Sequence, residues 1–149
     1  MQPFVRLLSM TKRILVGLGG GGFSMEPDNP RLDDYLLTLA NKSKPRLCFL
    51  PTASGDSANY VERFYDAFPK KRVDATHLSL FAHDGRDVKE LLLSQDIIYV
   101  GRGNVMNMLA VWRVHQLDAI LQEAYEKGIV LCGVSAGMLC WFEAVVTDS

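Results

Sequence analysis

A serine between two glycines is the feature of this sequence that points most directly to chemistry. The run Gly133-Val134-Ser135-Ala136-Gly137 follows an apolar stretch and precedes a helical one. In the G-x-S-x-G pattern, such a serine occupies a strained strand-to-helix turn that projects its hydroxyl above a sheet, and the glycines relieve the crowding. The turn can also serve packing alone or hold a phosphate. Its strand and helix context favours a hydrolase whose nucleophile is Ser135.

Hydrogen-bond donors near Ser135 are the next requirement, because a carbonyl under attack becomes an oxyanion. The N–H of Ala136 is one candidate donor, since the N–H groups that begin a helix have no intrahelical partner. A second donor is expected from Gly101-Arg102-Gly103-Asn104, which follows the preceding predicted strand. The carboxyl ends of parallel strands share one sheet edge, so this turn and Ser135 should meet there.

A stretch rich in hydroxyl groups, residues 51–57, closes another predicted strand at the same edge. Thr52 and Ser54 are predicted to contact substrate, as is Asn104 of the glycine-rich turn. Capping of the helix that begins near Tyr60 is the alternative role of these hydroxyl groups, and it is the favoured one.

An imidazole base is required beside the serine, because a serine hydroxyl is a weak nucleophile at neutral pH. The three histidines are poorly positioned for this role. His77 falls within a predicted strand, His83 lies in the loop beyond it, and His115 belongs to a helix well past Gly101. We expect each of them to be solvated or to make a structural hydrogen bond. The base is therefore expected outside this chain.

Two carboxylates follow the predicted helix after Ser135. Asp148 can orient or polarise an imidazole, and Glu143 is a weaker candidate because it lies at the end of the helix itself. A solvated surface position is the alternative for either carboxylate, and it is slightly favoured for any single one.

A second glycine-rich segment, residues 19–22, follows the first predicted strand. Dinucleotide-binding loops lead directly into a helix, whereas here Pro27 and Pro30 precede any helical pattern. The Lys-Ser/Thr pair of a phosphate-binding loop is also missing from the segment. We therefore expect a flexible rim of the active-site cleft, and no nucleotide or other cofactor.

The composition argues against several classes of function. Sixteen Lys and Arg against 17 Asp and Glu leave a net charge of −1, which gives no field to gather nucleic acid or an anionic membrane. Cys48, Cys132 and Cys140 have neither disulfide nor metal-ligand spacing, so we expect buried, reduced thiols and no metal site. No signal peptide or membrane-spanning run is recognisable, and a cytoplasmic location is the resulting prediction.

Short apolar runs that alternate with longer amphipathic stretches predict the frame that positions these residues. Strands are expected at residues 13–18, 46–51, 74–80, 96–100 and 128–132. Helices are expected at residues 32–41, 60–68, 88–94, 105–126 with a break near Val114, and 136–142. The alternation indicates one three-layer α/β/α domain, residues 12–149, around a mainly parallel sheet. Residues 1–11 are a candidate N-terminal extension.

Taken together, the motifs resemble those of the peptidase E family of serine peptidases, in its bacterial branch of uncharacterised members. The similarity runs from about Lys12 to the end, and it rests on the run around Ser135 together with residues 140–143 and 147–149. Two further segments resemble the family's second strand and the glycine-rich turn after its fourth strand. They are Phe49-Leu50-Pro51-Thr52-Ala53-Ser54 and Tyr99-Val100-Gly101-Arg102-Gly103-Asn104.

This resemblance implies a fold like that of class I glutamine amidotransferases, with serine in place of their cysteine nucleophile. It implies hydrolysis of short peptides, with a preference for amino-terminal aspartate. It assigns the nucleophile to Ser135, the oxyanion hole to Ala136, Arg102 and Gly103, and a third catalytic role to Asp148. Arg102 stands where the family usually has glycine. The resemblance places the family's catalytic histidine downstream of the turn at Ser135 and beyond residue 149, so this form is expected to show little or no turnover.

Other interpretations stay open. A non-catalytic or vestigial ligand-binding domain would keep the cleft while lacking the base. A thiol amidotransferase is disfavoured because Cys132 precedes the turn and should point into the sheet. An α/β-hydrolase shares the turn at Ser135, but the sequence lacks an HGGG-type oxyanion loop, which residues 19–22 could mimic. The sequence also resembles a domain that ends early, so an unpaired sheet edge and association into a homo-oligomer are expected.

Overall fold

The computed structural model describes residues 11–82 and 84–147, which form five strands and six α-helices. The strands are β1 (Leu15–Leu18), β2 (Arg46–Leu50), β3 (Asp74–His77), β4 (Ile97–Val100) and β5 (Val130–Val134). The helices are α1 (Arg31–Thr38), α2 (Ala58–Ala67), α3 (Val88–Leu93), α4 (Val105–Val114), α5 (Leu117–Glu126) and α6 (Ala136–Leu139). Every helix in these ranges is too short or too polar to cross a membrane. Ten residues of the candidate N-terminal extension, 1–10, lie outside the described residues.

The five strands form one parallel sheet in the order β1-β5-β4-β2-β3. Every residue of β4 and β5 is buried. The continuous apolar runs of these two strands suit them to the interior of the sheet, where both faces are covered. Helices cover both faces. On one face, α3, α4 and α5 enclose a largely aliphatic cluster, and on the other, α1 and α2 enclose an aromatic one. This three-layer α/β/α architecture confirms the predicted fold class.

The break that the sequence predicts near Val114 is present. Gln116 has φ 56°, a left-handed conformation that separates α4 from α5. The last helix is shorter than predicted and ends at Leu139, after which the chain continues in turns. The fifth strand runs two residues further than predicted, because Val134 pairs with Leu18 of β1. The order of elements is as predicted.

The third strand ends at His77 instead of residue 80. Beyond it, Asp56 Oδ2 accepts hydrogen bonds from Ser79 Oγ at 2.5 Å and from the Leu80 N–H at 2.7 Å. The carboxylate replaces a neighbouring strand as the hydrogen-bond partner of this segment, so strand pairing stops.

The two edge strands of the sheet are protected differently. At β3, Arg86 donates from Nη1 to Thr76 Oγ1 at 3.0 Å and from Nη2 to the His77 carbonyl at 2.7 Å, which covers part of that edge. At β1, Leu15 is 40% exposed and Gly17 carries no side chain to cover the backbone. Association through the β1 edge remains a prediction.

Candidate active site

The turn between β5 and α6, the elbow (Gly133–Gly137), holds Ser135 in a strained conformation. Ser135 has φ 55° and ψ −114°, a region that residues with a side chain seldom occupy. Hydrogen bonds fix its backbone on both sides. The Ser135 N–H donates to the Leu18 carbonyl at 2.9 Å, and the Ser135 carbonyl accepts from the Met138 N–H at 2.8 Å. The strain that the sequence pattern predicts is therefore present and held in place.

Glycine is required at both ends of the elbow because the backbone approaches too closely for a side chain. A Cβ atom at Gly133 would lie 2.0 Å from the Gly137 carbonyl oxygen. A Cβ atom at Gly137 would lie 2.1 Å from the carbonyl oxygen of Val100, at the end of β4. The two glycines thus let the elbow pack directly on the neighbouring strand, which places Ser135 at the carboxyl edge of the sheet.

Ser135 faces an open cleft of about 460 Å³ at this edge. The cleft is lined by residues that follow three different strands: Ser54, Ser57, Asn59, Tyr60, Arg63, Arg102, Gly103 and Ser135. Among these described lining residues there are two arginines and no carboxylate. The cleft is therefore electropositive, although the whole chain has a net charge of −1.

The turn between β4 and α4, the glycine turn (Gly101–Asn104), contributes Arg102 and Gly103 to the same cleft. Gly103 has φ 147°, and a Cβ atom there would lie 2.0 Å from the Ala53 carbonyl oxygen. The same carbonyl accepts a hydrogen bond from the Asn104 N–H at 2.8 Å. The Arg102 N–H donates to the Tyr60 hydroxyl at 3.2 Å, while the Arg102 side chain is exposed in the cleft. The sheet thus brings Arg102 and Gly103 to Ser135, as the sequence predicts.

Two predicted substrate contacts do not line the cleft. Asn104 Oδ1 accepts a hydrogen bond from the Asn107 N–H at 2.8 Å, so this side chain caps α4. Thr52 is 2% exposed, and its Oγ1 accepts from Trp112 Nε1 at 3.2 Å. Both side chains are occupied by the fold, because one ends a helix and the other satisfies a buried indole.

Ser54 does line the cleft, with its hydroxyl bonded to its own turn. Its Oγ donates to the Pro51 carbonyl at 2.8 Å and accepts from the Ser57 N–H at 3.4 Å. Ser57 is the N-cap residue of α2 and makes no capping hydrogen bond with its side chain. Helix capping, the role favoured from the sequence, is therefore not seen for the hydroxyl of Ser54 or of Ser57.

Sequence reasoning missed Tyr60 and Arg63, which α2 contributes to the cleft. Arg63 Nη2 donates to the carbonyls of Phe23 at 3.2 Å and Ser24 at 2.6 Å. Burial raises the pKa of the Tyr60 phenol, which keeps the hydroxyl neutral. The spacing of these two residues could have predicted this position, because residues three apart on a helix share a face. The helix also starts at the sheet edge that carries Ser135.

The described histidines lie away from Ser135. His77 ends β3, three strands from β5, which is roughly 14 Å at the usual strand spacing. It shares a hydrogen bond with the Tyr65 hydroxyl at 2.8 Å, and burial lowers its pKa. His115 ends α4. Glu143 is exposed beyond α6, whereas His83 and Asp148 lie outside the described residues.

The cysteines are unsuited to act as nucleophiles. Cys132 is fully buried within β5, with Sγ 3.5 Å from the Ile98 carbonyl, and burial raises the pKa of its thiol far above the usual range. Burial also raises the pKa of Cys48 and of Cys140 to about 12. These protonated thiols argue against the amidotransferase alternative. Within the described ranges, no cluster of His, Cys, Asp and Glu could hold a metal ion.

The first glycine-rich segment, residues 19–22, leads into a turn whose side chains are buried. No helix begins directly after it in the described chain, since the next one, α1, starts at Arg31. Phe23 and Ser24 are each 1% exposed, because Phe23 packs among the aromatic rings and Ser24 Oγ shares a hydrogen bond with the Tyr60 hydroxyl at 2.7 Å. The residues that follow the segment are thus held by packing, and a flexible rim at residues 19–22 themselves stays a prediction.

The sequence was compared with known protein families and with individual proteins, and both comparisons find peptidases. Residues 15–149 match Peptidase family S51. The chain belongs to this family. The uncharacterized peptidase YgaJ of Bacillus subtilis (strain 168) is 52% identical over 135 residues, which cover 91% of this chain and 59% of YgaJ. The resemblance to the peptidase E family is confirmed.

Two crystal structures share the fold of this S51 chain. A candidate peptidase E protein from Listeria monocytogenes EGD-e matches with a TM-score of 0.65 at 22% identity, over 84% of this chain and 59% of its own. A peptidase from an acI-B1 Actinobacterium matches with a TM-score of 0.68 at 21% identity, over 86% of this chain and 56% of its own. The chain spans less than two thirds of the length of each of these relatives.

Proposed function

We propose that this S51 protein is a serine peptidase that cleaves short peptides through an acyl-enzyme on Ser135. The observation that carries the proposal is the strained conformation of Ser135, with φ 55°, at the wall of an open cleft. Strain of this kind costs about 1–3 kcal/mol and persists only where the surrounding structure holds it. Here two hydrogen-bonded neighbours and two obligatory glycines hold it.

In the proposed reaction, Ser135 Oγ bonds to the carbonyl carbon of the scissile peptide while its proton passes to an imidazole. The C–N bond then breaks, and the amine leaves with that proton. Water later hydrolyses the ester and restores the serine. The oxyanion accepts hydrogen bonds from the N–H groups of Ala136 and Gly103, each worth about 3 kcal/mol in the transition state.

The described histidines lie away from the cleft, so the general base is proposed to be a histidine outside the described residues, with Asp148 orienting its imidazole. We therefore propose that the 149-residue chain by itself shows little or no turnover. A second candidate function, a non-catalytic ligand-binding domain of the same fold, is favoured by this same distance between Ser135 and the described histidines.

The charge of the cleft supports a substrate class. Arg63 is bonded to two backbone carbonyls, and the Arg102 side chain is exposed, so both guanidinium groups contribute positive charge beside Ser135. Within the described lining no carboxylate neutralises them. We propose that they attract the carboxylates of short peptides with an amino-terminal aspartate.

A fluorophosphonate probe on the full gene product tests these proposals. Labelling is expected in the unmodified protein, to disappear in Ser135→Ala, and to persist in Ser43→Ala, which removes an exposed hydroxyl outside the cleft. Aspartyl-leucine should slow the labelling more than lysyl-leucine does. An unlabelled wild-type protein would support the binding domain instead, and equal competition by the two dipeptides would contradict the aspartate preference.

A further inference from the structure

Tyr60 connects three parts of the cleft through one buried side chain. The residue is 6% exposed, and its ring lies against the glycine turn, since a Cβ atom on Gly101 would be 2.9 Å from Tyr60 Cε1. Its hydroxyl shares a 2.7 Å hydrogen bond with Ser24 Oγ and accepts the Arg102 N–H at 3.2 Å. The aromatic core therefore touches the backbone of the glycine turn through a hydrogen bond as well as through packing.

The backbone N–H groups of the glycine turn can be accounted for one by one. Gly101 donates to the Leu50 carbonyl at 3.0 Å, Asn104 donates to the Ala53 carbonyl at 2.8 Å, and Arg102 donates to Tyr60. In the described part of the chain, the N–H of Gly103 has no acceptor. Gly103 lines the same cleft as Ser135, so this N–H is the one that the turn leaves for a ligand.

We propose that Tyr60 is a positioning residue, which holds the glycine turn so that Gly103, rather than Arg102, supplies the second oxyanion donor. The inference rests on the proposed function. The peptide that carries the Gly103 N–H lies between two peptides whose N–H groups bond to the Tyr60 hydroxyl and to the Ala53 carbonyl, so holding both neighbours limits its rotation. A donor fixed in advance needs no reorganisation when charge develops in the transition state.

The Tyr60 hydroxyl is itself held in place from the far side. Its partner Ser24 is 1% exposed, and Arg63 donates to the Ser24 carbonyl at 2.6 Å. The phenol ring packs on Phe23 and Phe49, with centroid distances of 5.5 and 4.9 Å. Phenylalanine in place of Tyr60 would keep this ring packing and remove only the hydrogen bonds.

The test is Tyr60→Phe in the full gene product. We expect the rate of fluorophosphonate labelling and kcat for an aspartyl anilide to fall by roughly tenfold, with KM nearly unchanged, because the oxyanion forms only after binding. The fall should be smaller than the roughly 100-fold or larger loss typical of removing a donor outright. Ser24→Ala, which removes one partner of the hydroxyl, should lower kcat in the same direction and by less.

Tyr65→Phe is the matched control, because it lies on the same helix and its hydroxyl bonds to His77 of β3 instead of the glycine turn. It should leave kcat and labelling unchanged, with an unfolding midpoint in urea close to that of Tyr60→Phe. Wild-type kcat in Tyr60→Phe, or a raised KM with kcat intact, would overturn this proposal alone. Absence of Ser135-dependent labelling in the unmodified protein would overturn the proposed function and this inference with it.

Discussion

The elbow and the glycine turn follow neighbouring strands at one edge of the sheet, yet they present different kinds of group to the cleft. The elbow presents a side chain, Ser135, and aims it by straining the backbone. The glycine turn presents a backbone N–H, that of Gly103. The side chain of Tyr60, on α2, holds this turn through the Arg102 N–H. The elbow is recognisable from five consecutive residues, whereas the hydrogen bond that holds the glycine turn joins residues about 40 positions apart.

The largest effect is expected where the elbow meets β4. Gly137→Ala would place a Cβ atom 2.1 Å from the Val100 carbonyl oxygen, and backbone of a central strand cannot move aside cheaply. We expect a loss of at least about 3 kcal/mol in the free energy of unfolding, measured by urea titration. Gly19→Ala, which meets no atom within 4 Å, is the control and should change stability by less than about 1 kcal/mol. Similar midpoints for the two variants would refute the tight contact.

An intermediate effect is expected from releasing the strain at Ser135. Ser135→Gly and Ser135→Ala should both abolish labelling, but glycine tolerates φ 55° and alanine does not. The glycine variant should therefore be more stable than the alanine variant by about 1–2 kcal/mol in urea or thermal unfolding. If alanine proved equally stable, the elbow would not be strained and the contrast between the two turns would disappear.

The smallest effect is expected at the end of the glycine turn. Asn104→Ala removes the cap of α4 and should cost about 1 kcal/mol of stability, measured by thermal unfolding. Labelling of Ser135 should stay within about twofold, because the backbone N–H groups remain. Asn107→Ala is the control: it keeps the N–H that the cap binds, and its exposed side chain should matter little. A large loss of labelling with unchanged stability would restore Asn104 as a substrate contact.

Much of the fold was accessible from local patterns. Apolar runs such as β4 and β5, separated by amphipathic stretches, predict the order of elements and the parallel sheet. The end of β3 could not be predicted, because it depends on the Asp56 carboxylate, which lies more than 20 residues earlier and takes over the hydrogen bonds of Ser79 and Leu80. Strand ends are decided by such distant partners.

The candidate site divides in the same way. The elbow is recognisable from five consecutive residues, although only the contact between Gly133 and Gly137 is local, because Gly137 packs against Val100 of the neighbouring strand. The turn at Gly103 was likewise visible as a glycine-rich segment after a strand. Both turns could therefore be recognised from local sequence and from the rule that parallel strands end at a common edge, whereas the contacts of Gly137 with Val100 and of Gly103 with Ala53 are seen only in the structure.

The roles of individual polar side chains were decided by packing in three dimensions. Thr52 and Asn104 were predicted to contact substrate, but they bond to Trp112 and to the start of α4. Tyr60 and Arg63 line the cleft although the sequence analysis did not predict it. The residue type of a side chain with a hydroxyl or amide group does not reveal whether that group faces solvent, substrate or the core. Only the assembled sheet and helices determine which partner lies within hydrogen-bond distance, because those partners are distant in the chain.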